Sequence, residues 1–290
     1  MVPKNGHGPL GVHLGVGQRF DDAVAQAKLL GITCCQLFTH NPRGWGFAPL
    51  DEKSLAKFRD DLRKAGVSPV ASHCNYLINL GSNAPDIRAK SLACFRQEFP
   101  YARAYGCGYF VLHVGKHKAQ SLDDGIKNVA AGINSCKDVL LKYPEITLLL
   151  ETVAGQGSEI GRDFNDLGTI IALVDKELRP RVGVCVDTCH VFAAGYDLRT
   201  PAGVDAAAKA MDAAFGLDRV KLIHLNDALK EFNSRVDRHQ HIGEGFIGAA
   251  GFRAFLNHPV FKPLPKVLEV PEDEHMGYAE NLAVVRKLQA

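Results

Sequence analysis

TLLLE (147–151) is a short, unbroken apolar run closed by a carboxylate. Apolar residues that do not alternate with polar ones suit a parallel strand buried on both faces. Runs of the same kind flank it on both sides: YFVLHV (109–114) before it and VGVCVD (182–187) after it. Further out come SPVASH (68–73) and KLIHLN (221–226), then CCQLFT (34–39) and KVLEV (266–270), with GVHLGV (11–16) first of all. Amphipathic segments separate the runs. One passes through Leu55, Phe58 and Leu62, with Gly66 placed to stop it. Another opens at Ser121, with Asp124 as its capping-box partner, and runs to about Lys142. A third is the alanine-rich stretch from Val204 to Phe215. Eight strands alternating with helices predict an α/β fold, a single (β/α)8 TIM barrel over residues 1–290. A doubly wound sheet is the competitor. It would place a glycine-rich fingerprint after the first strand, where LGVGQRF (14–20) has G-x-G but no third glycine.

Length and composition fit this reading. A chain of 290 residues buries about 70–75% of its extended surface on folding, enough for a core without disulfides. At 46% hydrophobic and 23% charged it is neither disordered nor fibrous. No run approaches the roughly 18 apolar residues of a membrane span, and the polar, glycine-rich start MVPKNGHGPLG has no secretory character. Eight cysteines form no CxxC pair, so reduced thiols in the cytoplasm are expected. A net charge of +2 neither advertises nor excludes a nucleic-acid partner, because bound cations can supply positive charge.

The position of the polar residues is more informative. The third strand ends in His73, the fourth in His113, the fifth in Glu151, the sixth in Asp187, the seventh in His224 and the eighth in Glu269. In a barrel these C-terminal ends converge on one mouth, where active sites of the fold lie. A lone strand-end histidine is usually a hydrogen-bonded structural residue, but six successive strands ending in metal-binding side chains are hard to assign to chance. CVDTCH (185–190) adds His190 three residues after Asp187, within reach of the same loop face. Asp237 and His239 stand two apart, so in an extended segment they point the same way. Five histidines and four carboxylates exceed the four ligands of one tetrahedral site. They imply two or three metals and a bridging carboxylate, and the imidazole content favours zinc or manganese over calcium or magnesium. Cys74 and Cys189 are read as core-fillers rather than ligands.

FTHNPRGW (38–45), SHCNYLINLG (72–81), LLETVAGQG (149–157), VDTCHVFAAGYD (186–197), IHLNDA (223–228) and SRVDRHQHIGEGFIG (234–248) together resemble the endonuclease IV family of apurinic/apyrimidinic endonucleases. The similarity runs from the first strand to the last. It implies a TIM barrel with three Zn2+ ions, Mn2+ being admissible at one of them, that incises duplex DNA 5′ to an abasic site. On the matching positions, His73, His113 and Glu151 would hold the first ion. Glu151 would bridge to a second, held also by Asp187, His224 and Glu269. His190, Asp237 and His239 would hold the third. Arg43 and Tyr76 match positions that enter DNA beside the lesion. Read from the residues alone, Arg43 suits a DNA-facing wedge in a Pro/Gly-containing loop, Trp45 a loop anchor, and Tyr76 either role. Departures from the family pattern are Val114 for a proline, Cys74-Asn75 after His73, Leu229 for a lysine and Val270 for a threonine. None removes a ligand.

The implied chemistry is metal-assisted hydrolysis, which clamps both the attacking and the leaving oxygen of an in-line displacement. Glu151 and Glu269 would be the catalytic carboxylates, Glu269 orienting or deprotonating the attacking water. An abasic nucleotide leaves the stack cheaply, so a pocket too small for a normal nucleotide would suffice for selection. The rival enzyme is a single-metal sugar isomerase or epimerase of the xylose isomerase-like kind, for which Glu151, Asp187, His224 and Glu269 would be enough. The rival without catalysis is a metal-stabilised protein that binds damaged DNA, which predicts a missing ligand. A monomer is expected, since the mouth must stay open to a duplex. His241 and Glu244 are read either as partners orienting Asp237 and His239 or as loop-forming groups.

Overall fold

Each apolar run pairs edge to edge with its neighbours as a parallel strand, and in the computed structural model the sheet closes on itself. The structure describes residues 6–17 and 19–290, so MVPKN at the start and Gln18 of LGVGQRF lie outside the described residues. The strands are β1 (Leu10–His13), β2 (Cys34–Leu37), β3 (Val70–His73), β4 (Tyr109–Leu112), β5 (Thr147–Glu151), β6 (Val182–Asp187), β7 (Val220–His224) and β10 (Lys266–Leu268). They run around the barrel in chain order, and β1 closes the ring against both β2 and β10. A two-stranded antiparallel ribbon, β8 (Asp227–Ala228) with β9 (His239–Gln240), sits between β7 and β10 in the chain. The helices are α1 (Phe20–Leu30), α2 (Glu52–Lys64), α3 (Pro85–Tyr105), α4 (Leu122–Ser135), α5 (Lys137–Lys142), α6 (Phe164–Leu173), α7 (Thr188–Ala194), α8 (Pro201–Phe215), α9 (Gly248–Asn257) and α10 (Tyr278–Leu288). None is long and apolar enough to cross a membrane.

Several boundaries move from their sequence positions. β1 stops at His13 rather than residue 16, and β3 starts at Val70 rather than Ser68. β4 and β10 end at Leu112 and Leu268, so His113 and Glu269 each stand one residue beyond their strand. The helix opened by Ser121 does start there, the hydroxyl accepting Asp124 N–H at 3.1 Å. It breaks at Cys136 (φ −103°, ψ 17°) and resumes as α5. The alanine-rich helix begins three residues early, at Pro201, because Thr200 Oγ1 caps it by accepting from Gly203 N–H.

The barrel interior follows the two-residue period of a strand. Cys34, Ala71, Val111, Leu149, Cys185, Leu222 and Val267 form one buried layer. Gly11 stands in register with Cys34 and completes the ring. Between the strands and the outer helices lies the larger core, in which Phe110 of β4 meets Phe95 and Phe99 of α3 with ring centroids 5.8 and 5.2 Å away. The departures Val114 and Val270 are both buried in this core, whereas Leu229 is exposed.

Candidate metal centre

Two residues beyond that interior layer, every strand turns a second side chain inward at the mouth. These are His13, Gln36, His73, His113, Glu151, Asp187, His224 and Glu269. Register places His13 opposite Gln36 and Asp187 opposite His224. Sequence reasoning identifies six of these eight and misses His13 and Gln36.

Glu151 is fully buried at the centre. His113 Nε2 lies 2.9 Å and His73 Nε2 3.1 Å from one of its oxygens, and His224 Nδ1 2.9 Å from the other. His224 Nδ1 also lies 3.1 Å from Glu269 Oε2. The donor atoms of His73, His113 and Glu151 form one group within 4.8 Å, and those of Glu151, Asp187, His224 and Glu269 form another. Glu151 belongs to both.

A third grouping is built by the segments after β6 and β7. The chain after Asp187 is a short helix rather than a loop. Asp187 is the N-cap of α7, its Oδ1 accepting His190 N–H at 2.9 Å, and this puts His190 in the first turn, facing the mouth. His190 Nε2 lies 3.1 Å and His239 Nε2 3.4 Å from Asp237 Oδ1, so Asp237 and His239 do share a side. His239 Nε2 also lies 3.6 Å from Asp187 Oδ2, which ties this group to the second. Cys189 falls within 4.8 Å of Asp237 and His239 as well. Burial pushes its thiol pKa up, and Sγ is turned to the Arg238 carbonyl at 3.5 Å, so it is a poor thiolate.

The chemistry of the donors fits divalent cations. His73 Nδ1 donates to the Cys74 carbonyl, His190 Nδ1 to that of Thr152 and His239 Nδ1 to that of Glu269, at 2.8, 2.8 and 3.0 Å. Each outer bond leaves the other ring nitrogen facing the carboxylates as a lone pair. The Nε2 atoms of His190 and His239 are buried without a hydrogen-bond partner. Converging lone pairs of imidazole and carboxylate repel unless a proton or a cation lies between them. The shifts express this demand for positive charge. Burial pushes the Glu151 carboxyl up, but His113 and His224 outweigh it and hold it well below the usual range. Burial pushes His73, His190 and His224 down, yet the facing acceptors hold each above an ordinary histidine.

The loops around the mouth are tied together. Tyr76 N–H donates to the Pro42 carbonyl and Asn75 Nδ2 to that of Gly44, both at 2.9 Å, which joins the FTHNPRGW loop to the one after β3. Buried Glu98 of α3 accepts from Thr39 Oγ1 at 2.9 Å and lies 2.8 Å from His40 Nε2 beneath the same loops. With Cys94 these form a further His/Cys/Glu group that sequence reasoning does not single out. Arg43 and Tyr76 are exposed, Tyr76 at 61%, while Trp45 is half-buried against the core. On the other side, Asp227 anchors the SRVDRHQHIGEGFIG loop. Its Oδ2 accepts from Gly243, Gly245 and Gly248 N–H at 2.9, 3.0 and 3.2 Å, and its Oδ1 from Ile247 N–H at 3.0 Å. A Cβ on Gly245 would stand 2.6 Å from Asp227 Oδ1, so only glycine allows this approach. His241 faces Asp273 and Asn281, and Glu244 faces His275, so both belong to loop structure and not to the Asp237/His239 pair.

A cavity of about 300 Å³ lies over the cluster, bounded by His13, Phe38, Tyr76, Glu269 and Tyr278 among others. A second, of about 620 Å³, adjoins it and shares His73, Tyr76, His113 and Asp237.

Residues 24–288 match the model of the xylose isomerase-like TIM barrel family. A protein from Methanoculleus marisnigri described as probable endonuclease 4 is 39% identical, over 96% of this chain and 98% of its own. Another, from Chloroflexus aggregans, is 38% identical over 96% of each. Among solved structures, endonuclease IV from Thermus thermophilus superposes with a TM-score of 0.82 at 32% identity, over 97% of this chain and 98% of that one.

Proposed function

Because this chain belongs to the endonuclease IV family of xylose isomerase-like TIM barrels, and so is a nuclease, we propose that it is a zinc-dependent DNA repair enzyme that cuts duplex DNA 5′ to abasic sites. The observation that carries the reading is the convergence of nine donor side chains on one mouth, in overlapping groups that share Glu151 and Asp187, with the Nε2 atoms of His190 and His239 buried and unpartnered. His73, His113 and Glu151 would hold one ion. Glu151, Asp187, His224 and Glu269 would hold a second, and His190, Asp237 and His239 a third. Bound there, the cations would supply Lewis acidity, neutralising charge on the phosphodiester oxygens and acidifying water.

The residues of the chain do the rest. Glu269 reaches the cavity over the cluster, where it would orient or deprotonate the attacking water. Glu151 holds His73, His113 and His224 in one arrangement. Exposed Tyr76 and Arg43, on loops joined at Pro42, enter the duplex and support the gap left by the extruded sugar. The products are a 3′-hydroxyl and a 5′-deoxyribose phosphate. Extruding a nucleotide that has no base to unstack costs little, and a pocket too small for a normal nucleotide would complete the selection. The whole chain would act as one barrel, as a monomer with its mouth open to DNA, in the cytoplasm.

A single-metal isomerase would use Glu151, Asp187, His224 and Glu269 and leave His73, His113, His190, Asp237 and His239 with no task. A labelled duplex with one central abasic analogue, run beside an intact duplex, tests the reading. Incision immediately 5′ to the lesion, abolished in Glu151→Ala and Glu269→Ala, is expected. No incision by zinc-loaded protein overturns it.

A further inference from the structure

Gln36 comes from the second strand, to which sequence reasoning assigns no functional residue, and it is fully buried at the mouth. Its amide nitrogen lies 2.5 Å from Glu269 Oε1 and 3.1 Å from His13 Nδ1, and its amide oxygen 2.8 Å from His224 Nε2. A primary amide offers two N–H donors and a carbonyl acceptor, and all of them are used here. A carboxylate can only accept, so the amide nitrogen must face Glu269 and the amide oxygen must face His224. That oxygen then requires a proton on His224 Nε2. In the neutral ring, Nδ1 is left as a lone pair, aimed between Glu151 Oε1 at 2.9 Å and Glu269 Oε2 at 3.1 Å. The second N–H of the amide likewise makes His13 Nδ1 an acceptor, which keeps a competing donor away from Glu269.

We propose that Gln36 is a positioning residue of the metal centre: through one amide it fixes the tautomer of His224 and the orientation of the Glu269 carboxylate. It touches neither substrate nor cation and acts through the two groups that do. The proposal rests on the metal-dependent reading above, and it explains why a neutral amide lies inside a ring of imidazoles and carboxylates. Only a side chain that both donates and accepts satisfies a carboxylate and an Nε2–H together. Partners of this kind change metal affinity by about 10- to 100-fold when removed.

The test uses the full chain with zinc alone as probe, by competition against a chromogenic chelator, beside long-range 1H–15N spectra of the histidine rings. His224→Asn identifies the His224 signal. In the parent, the metal-free spectrum is expected to show His224 protonated at Nε2. Gln36→Met keeps the bulk and removes every hydrogen bond. It should bind zinc at least tenfold more weakly, lose that tautomer signature, and lower kcat for abasic-site incision with KM unchanged. Gln36→Glu still accepts from His224 but sets a second carboxylate against Glu269, and it should also weaken zinc binding. The melting temperature of the metal-free protein separates positioning from packing. The proposal is overturned if parent His224 is protonated at Nδ1, if both variants bind zinc like the parent, or if every loss follows a matching fall in melting temperature. Zinc affinity and ring spectra are read without DNA, so a failure of the nuclease reading leaves this result distinguishable.

Discussion

Replacing Asp227 with asparagine is a sharp perturbation because it changes one atom of a buried group. The carboxylate accepts four backbone N–H groups from residues 243–248 on two oxygens, and it also accepts Ala228 N–H at 2.8 Å. Burial raises its pKa, while the N–H groups of Ala228, Ile247, Gly245 and Gly243 pull it back down. In the amide, the oxygen can take the place of Oδ2 and keep the three glycine bonds. The NH2 group then faces the N–H donors of Ile247 and Ala228, where it cannot accept. Each buried donor left without a partner costs about 1–3 kcal/mol, and the three bonds that remain lose their charge assistance. We expect Asp227→Asn to lose about 3–4 kcal/mol, and Asp227→Ala somewhat more, short of full additivity because the loop can open to water. Urea unfolding of the metal-free protein measures the loss. Hydrogen exchange should show residues 237–248 opening while β4–β6 stay protected. An Asp227→Asn protein within about 0.5 kcal/mol of the parent, with unchanged exchange in that loop, would refute the anchoring argument.

Removing Glu151 takes the shared donor from two groups, so Glu151→Ala should lower the zinc content per chain by more than one ion, read by elemental analysis after gel filtration. Arg43→Ala and Tyr76→Ala remove exposed side chains, so each should raise KM for the abasic duplex with a melting temperature close to that of the parent. Lys266 is wholly buried, its Nζ within 3.0 Å of the Phe261, Lys262 and Leu264 carbonyls, all three of which only the ammonium form can donate to, and burial pulls its pKa down to about 7. Between about 7 and the unfolded value near 10.4 the unfolded chain holds a proton that the folded chain does not, so stability should rise with pH through that window and be lowest below it. From pH 7.5 to 9.5 the rise should be about 2 kcal/mol in urea unfolding and absent from Lys266→Met; equal slopes in the two proteins would contradict the assignment.

The barrel is legible because parallel strands buried on both faces leave long apolar runs, and all eight runs are strands. The mouth residues are legible wherever the inward side chain is of an unmistakable ligand type, as at His73, Glu151 and Asp187. Gln36 escapes because glutamine is not a usual ligand, although it stands two residues after Cys34 as His73 stands two after Ala71. His13 escapes because it lies inside a longer apolar run, GVHLGV, whose strand in fact ends at that residue. The β8–β9 ribbon has two residues per strand, too few to establish a period. α7 reads as a loop in the sequence because its start is marked by Asp187, a residue already taken for a ligand, whose second role is to cap the helix. The break at Cys136 is a change of backbone angle with no glycine or proline to announce it.

The ring of mouth residues runs from His13 in the first strand to Glu269 after the last, and this has a meaning for biosynthesis. Nearly the whole polypeptide must be translated before the second group of donors is complete. A half-made chain that ends after β5 carries His73, His113 and Glu151 but lacks the partners that Glu151 shares in the second group, so the linked arrangement is incomplete in it. Binding of metal by the full set of donors, as proposed above, would therefore act as a receipt for a finished barrel, and a truncated or stalled product would lack the complete centre.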